Sequence, residues 1–218
     1  MADADDRLLS RRVVFDVDGT LVQSVAVDAE LYARAFADTF GVPLPSTDWS
    51  DYANATDRGI AEEAVARLSL PTARIGELRR RFVELLGGVE RIEPTPGAAR
   101  LVDELRARKI PVAIATGGWS AAARRKLDAA GLDVAALPLV GSDDHARREE
   151  ILAAALARLG GDGAAVYVGD GPWDLAASRA LGIGFIGVDR DGHGRFGARA
   201  VRDFSDVNSF LRALENLY

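Results

Sequence analysis

The chain has 218 residues, 48% hydrophobic and 28% charged, and no cysteine, which excludes disulfides, thiolate metal sites and cysteine nucleophiles. Lys plus Arg number 27 against 33 Asp plus Glu, a formal net charge of −6, so a polyanionic partner such as nucleic acid is disfavoured. Residues 1–10 are acidic and polar without an apolar signal core, and no apolar run is long enough to span a membrane, so a cytoplasmic protein is expected.

The first element in chain order is a short buried strand over Arg11–Asp16. Similar runs recur at Ile110–Ala115, Ala136–Val140, Ala164–Val168 and Gly184–Val188. They are β-branched and nearly continuous rather than alternating, as expected of parallel strands covered on both faces. Helical patterns lie between them: around Leu101 and Leu105, over Ile151–Leu159 with apolar residues at i, i+1, i+4, i+5 and i+8, over Ala176–Leu181, and over Val207–Leu214. This alternation predicts a doubly wound parallel-sheet (Rossmann-like) α/β core.

Residues 21–95 do not follow it. They carry three helical stripes: Leu31, Tyr32, Ala35, Phe36 and Phe40; then Ile60, Ala64, Val65 and Leu68; then Leu78, Phe82, Leu85 and Leu86. Breaks fall at Gly41–Pro45, Ser69–Pro71 and Glu93–Gly97. The expected organisation is a core of residues 1–20 and 96–218 with a helical insertion over 21–95.

Chemistry concentrates at predicted strand ends, where open α/β sheets place their ligands. Asp16-Val17-Asp18-Gly19-Thr20 ends the first strand. One carboxylate there can attack phosphorus while its neighbour moves the proton; the plain alternative is a strand-terminal Asp followed by an Asp-Gly turn. Asp16-x-Asp18-Gly19-Thr20-Leu21 resembles the signature of the haloacid dehalogenase-like hydrolases. That resemblance makes Asp16 the nucleophile and Asp18 the acid/base. Thr116-Gly117-Gly118 ends the second strand, and its hydroxyl and backbone N–H groups suit phosphate oxygens. The family usually places a lysine before the fourth strand. The only lysines are Lys109 and Lys126, neither near that position, so Arg148 is the expected phosphate-binding substitute, with Arg147 as its alternative. Gly169-Asp170-Gly171-Pro172-Trp173-Asp174 ends the fourth strand; read alone, it is equally a helix N-cap.

The resemblance further implies Mg²⁺ held by Asp16, the backbone carbonyl of Asp18, and Asp170, with Asp174 orienting from behind. It implies a C1-type helical cap over 21–95, in which Thr56-Asp57-Arg58-Gly59-Ile60 is similar to a segment of phosphoglycolate-phosphatase-like members. The expected activity is hydrolysis of a small phosphorylated metabolite through an aspartyl phosphate. A dehalogenase is disfavoured because Asp18 is present, and Schiff-base phosphonate chemistry because residues 21–95 contain no lysine. A sugar phosphomutase and an inactive phosphate- or Mg²⁺-binding regulatory module stay open as alternatives. A receiver-like phosphoacceptor is disfavoured, because it has no place for the insertion. His145 and His193 are expected at the surface, Trp49 in packing, and Trp119 and Trp173 beside the cap. Arg34, Arg58 and Tyr32 are possible substrate contacts.

Overall fold

The computed structural model describes residue 8, residues 10–197 and residues 200–217. Six parallel strands form one sheet: β1 (Arg11–Phe15), β2 (Val112–Ala115), β3 (Leu139–Val140), β4 (Ala164–Gly169), β5 (Gly184–Val188) and β6 (Ala200–Val201), in the order β3-β2-β1-β4-β5-β6. This is the doubly wound order, whose direction reverses beside β1. Both long neighbours of β1 are in register with it, Phe15 facing Ile114 on one side and Val168 on the other. The side chains alternate between two packed faces. Val13 and Phe15 meet Leu101 and Leu105 of α4 (Ala98–Ala107) and Phe210 of α8 (Val207–Glu215). Val14 and Tyr167 meet Ile151, Leu152 and Ala155 of α6 (Arg148–Leu159) and Ala177 of α7 (Pro172–Ala180).

The segment between β1 and α4 supplies α1 (Val25–Phe40), α2 (Asp57–Arg67) and α3 (Ile75–Leu86), which share a separate apolar cluster centred on Tyr32, Phe36, Val65, Leu78 and Phe82. Its entry and exit run side by side: Gln23 N–H donates to Glu93 O at 2.8 Å and Thr95 N–H to Leu21 O at 2.9 Å. Leu21, Val22 and Ile92 pack with the sheet, not with the three helices. The link between the two cores is α5 (Ser120–Ala129). Ala123 and Leu127, four residues apart, face the sheet, while Trp119 and Ala122 face the helical segment. Trp119 stacks on Tyr32 at 5.7 Å and meets Phe82 at 6.2 Å. Truncating a buried aromatic of this kind costs about 3–5 kcal/mol.

Several predicted elements need correction. The second strand starts at Val112 rather than Ile110, after Pro111, because proline has no N–H for a ladder. The third is only Leu139–Val140; Pro138 precedes it for the same reason. Leu68 does not extend the α2 stripe: the helix ends at Arg67, the chain turns through Ser69 at φ 55°, and Leu68 is 40% exposed. The edge strand β6 was not expected, and helix α5 follows the strand-to-helix turn expected at Thr116-Gly117-Gly118 without a predicted range of its own. Among the described residues no helix is long and apolar enough to cross a membrane.

Candidate active site

The strand ends of β1, β2 and β4 open into one cavity of about 220 Å³, roofed by the helical segment. Asp16 follows β1 directly, its N–H donating to Val168 O at 2.9 Å. The chain then turns tightly, with Thr20, Leu21 and Val22 N–H groups all directed at Val17 O. Gly19 is required twice: its φ is +77°, and a Cβ would lie 2.1 Å from Asp170 Oδ2. The backbone at Gly19 therefore lies against the Asp170 carboxylate.

Arg148 opens α6 and reaches back over Asp16. Its Nη1 lies 2.9 Å from Asp16 Oδ1 and 3.2 Å from Asp174 Oδ1, and its Nη2 donates to Ala55 O at 3.1 Å. Arg147 is exposed and pairs with Glu149, so the structure brings Arg148, not Arg147, into the cavity. Asp174 is fully buried, accepting from Gly171 N–H at 3.0 Å and lying 3.1 Å from the Tyr167 hydroxyl. Tyr167, unnoticed in the sequence, sits among core residues on β4 and anchors this back wall through Ala115 O at 3.0 Å. Oxygens of Asp16, Asp170 and Asp174 all lie within 4.8 Å of one another.

Burial pushes Asp16 well above the usual carboxylate range, reinforced by Asp174 and opposed by Arg148. Burial and Asp174 push Asp170 up to about 7. Asp174 is also raised by burial, against Arg148 and the hydrogen bonds that it accepts. Such a crowd of buried acids calls for positive charge.

Thr116 and Gly117 line the cavity as expected. Thr116 Oγ1 accepts from Gly118 N–H at 3.1 Å, and the next two N–H groups are held by carboxylates from elsewhere: Trp119 N–H by Asp57 Oδ2 and Ser120 N–H by Asp143 Oδ2, both at 2.8 Å.

Asp18 faces a second cation that the sequence reading left out. Lys126 Nζ on α5 is completely buried, 2.6 Å from Asp18 Oδ1 and 2.6 Å from Asp28 Oδ1 of α1. Ser24 Oγ also donates to Asp18 Oδ1. Burial lowers the Lys126 pKa, but Asp18, Asp28 and Asp57 outweigh it and the ammonium ends well above its usual range. Lys126 lies four residues from Ala122, on the face of α5 turned to the helical segment. Two signals marked it: it is one of two lysines among 27 basic residues, and it occupies an otherwise apolar row. Its carboxylate neighbours favour the charged ammonium, which does not favour Schiff-base formation.

Other expectations resolve individually. Trp173 lines the cavity, with Arg148 6.0 Å above its ring. Trp49 packs edge-on against Tyr32 at 5.8 Å and also lines the cavity. Tyr32 is buried, its hydroxyl donating to Asp57 O at 2.6 Å. Arg58 pairs with Glu62 at 2.7 Å and Arg34 is exposed; neither lines the cavity. His145 and His193 have exposed side chains.

Known proteins resemble this chain in sequence and fold. Phosphoglycolate phosphatase of Rhodospirillum rubrum is 27% identical over 220 aligned residues, covering 93% of this chain and 91% of that protein. A hydrolase from Pseudomonas syringae superposes with a TM-score of 0.69 at 22% identity, over 93% of this chain and 98% of the other. CbbY from Rhodobacter sphaeroides, solved with phosphate, gives 0.67 at 22% identity, over 91% and 96%; at such identity the likeness is one of fold. The family model of haloacid dehalogenase-like hydrolases matches residues 11–182, most of the chain, and the protein belongs to that family.

Proposed function

We propose that this hydrolase is a Mg²⁺-dependent phosphatase, a phosphoric monoester hydrolase that acts on a small phosphorylated metabolite through an aspartyl phosphate on Asp16. The observation that carries the reading is the convergence of Asp16, Asp18, Thr116, Arg148 and Asp170 on one small cavity. Residues 21–95 act as the cap over residues 1–20 and 96–218, excluding bulk water during the reaction. A cytoplasmic location, expected from the sequence, belongs to the same proposal.

The donors fit Mg²⁺: they are all oxygens, three carboxylates within 4.8 Å of one another, with the backbone of Gly19, which follows Asp18, against Asp170. Asp16, Asp170 and the Asp18 carbonyl would hold the ion, with Asp174 behind them, already fixed by Gly171 and Arg148. Bound there, Mg²⁺ supplies positive charge for the equatorial oxygens of the transferring phosphoryl group and lowers the pKa of Asp16.

Asp16 attacks phosphorus in line; its O–P bond forms as the ester P–O bond breaks. Arg148 offers its planar fork to two phosphoryl oxygens, and the Thr116 hydroxyl holds another. Asp18 gives its proton to the departing alkoxide. It then takes one from the water that attacks the aspartyl phosphate, which releases phosphate and restores Asp16. To do this, its carboxyl exchanges Lys126 and Ser24 for the ester oxygen. Because Lys126 also holds Asp28, that exchange is coupled to the position of the helical segment.

Asp16→Asn keeps the shape and removes the nucleophile. Phosphate release is expected to fall by roughly 10⁴-fold or more, with the circular dichroism spectrum and Tm preserved. Turnover that survives this substitution overturns the proposal.

A further inference from the structure

The helical segment contributes part of the cavity wall and places on it carboxyl groups that take no part in the proposed proton transfers or metal site. Asp28 of α1 and Asp57 of α2 line it, beside Val25, Trp49 and Ile60. Each aspartate is only 6% exposed. Asp28 is held through Oδ1 by Lys126 at 2.6 Å and Asp57 through Oδ2 by Trp119 N–H at 2.8 Å. Among the described residues, Asp28 Oδ2 and Asp57 Oδ1 have no partner. Lys126 is itself fully buried and does not line the cavity. The cation at the rim, Arg195, lies 3.7 Å from Asp189 and packs over Phe196 at 5.6 Å.

Five carboxyl groups thus border the cavity, with two cations, Lys126 and Arg148, bound among them. A bound divalent ion would answer the phosphoryl group at the Asp16 end. It would leave the wall formed by Asp28 and Asp57 acidic. An ester with a carboxylate on its leaving group would press a further negative charge against that wall, where like charges repel. An O–H or N–H in the same position would meet the open acceptors of Asp28 and Asp57, and its carbon stem the apolar side chains beside them.

Resting on the phosphatase reading above, we propose that the substrate's leaving group is a neutral or cationic alcohol bearing hydrogen-bond donors, and that Asp28 and Asp57 select against carboxylate esters such as phosphoglycolate. The selection is by charge: hydroxyethyl phosphate and phosphoglycolate are nearly the same size and differ in an alcohol against a carboxylate.

The test assays the full chain with Mg²⁺ on para-nitrophenyl phosphate, hydroxyethyl phosphate, phosphoethanolamine and phosphoglycolate. The expected kcat/KM for hydroxyethyl phosphate and phosphoethanolamine exceeds that for phosphoglycolate by about ten-fold or more, and Asp28→Asn and Asp57→Asn each narrow that ratio. Phosphoglycolate turned over as well as hydroxyethyl phosphate overturns the inference and leaves the phosphatase reading intact. A preference for phosphoglycolate that Arg195→Ala abolishes does the same. If none of the four esters is hydrolysed, para-nitrophenyl phosphate included, the phosphatase reading fails and the inference with it. Should the Asp28 and Asp57 variants not fold, the wild-type ratio decides, together with calorimetric binding of the two matched esters to Asp16→Asn, where hydroxyethyl phosphate is expected to bind the more tightly.

Discussion

Two cation–carboxylate clusters flank the cavity, and they are built differently. In one, Arg148 meets Asp16 and Asp174, all from the ends of sheet strands or the helices that follow them. In the other, Lys126 meets Asp18 of the core and Asp28 of the helical segment. The arginine offers a planar fork with donors at several angles. The lysine is a point charge drawn into a fully buried spot. Under the proposed mechanism charge changes in both, at Asp16 in the first and at Asp18 in the second, but the carboxylates of the second come from both parts of the molecule. These carboxylates have no other cation within reach among the described residues, whereas those around Asp16 can accept a divalent ion.

That difference predicts opposite responses to losing the cation. Arg148→Ala is expected to lower kcat/KM by roughly 10³-fold, with a smaller loss of Tm in saturating Mg²⁺, because the ion offsets the exposed acids. Lys126→Met is expected to act first on stability: removing one partner of a buried ion pair costs about 3–5 kcal/mol, on the order of 10 °C in Tm for a chain of this size. Mg²⁺ should not restore it. Melting curves of both variants, with and without Mg²⁺, measure this; equal rescue by Mg²⁺ would erase the distinction.

A third comparison uses pH. Asp170 is raised to about 7 by burial and Asp174, from about 4 in an unfolded chain. Without metal, the folded protein therefore keeps a proton that the unfolded chain has released. Its stabilising effect is complete below about pH 4 and is lost as pH rises through about 7. Mg²⁺ competes with that proton, so the Tm gain on adding Mg²⁺ should be larger at pH 8 than at pH 5.5. Asp28, raised to about 6 by burial against the pull of Lys126, gives a slope of the same sign that Mg²⁺ leaves in place. A Tm gain independent of pH would place the ion elsewhere.

The smallest effect belongs to Thr56, whose Oγ1 accepts from Gly59 N–H at 3.0 Å and donates to Ala146 O at 2.7 Å. Thr56→Ala removes a helix cap and a tie between the helical segment and the loop before α6. About 1 kcal/mol of stability is expected to be lost, readable in a urea melt.

The same contrast explains what was legible in the sequence. The cluster around Arg148 lies at strand ends, so a run of apolar residues closing on an aspartate announces each member in turn: Asp16, then Asp170 with Asp174. The lysine cluster is assembled from α1, α2, α5 and the first loop, over separations as long as 108 residues. No local pattern links Asp28 or Asp57 to Lys126. The extent of helix α5 was not legible because its opening, Ser120 to Arg125, is small and basic rather than striped; its apolar contacts are divided between two cores. β6 is two residues long, too short for any periodicity to register.

Gly117 holds one more consequence. A Cβ there would come within 2.5 Å of Arg148 Nη2 and 2.9 Å of Ala55 O. The bulkier head group of arginine is accommodated because position 117 has no side chain. The two positions thus constrain the order in which either can evolve. A side chain arriving first at 117 collides with the guanidinium, while a lysine arriving first at 148 removes only that obstacle and leaves the Ala55 carbonyl in place. A lysine at 148 is reachable by a single substitution, but a larger residue at 117 only after the loop that carries Ala55 has itself moved.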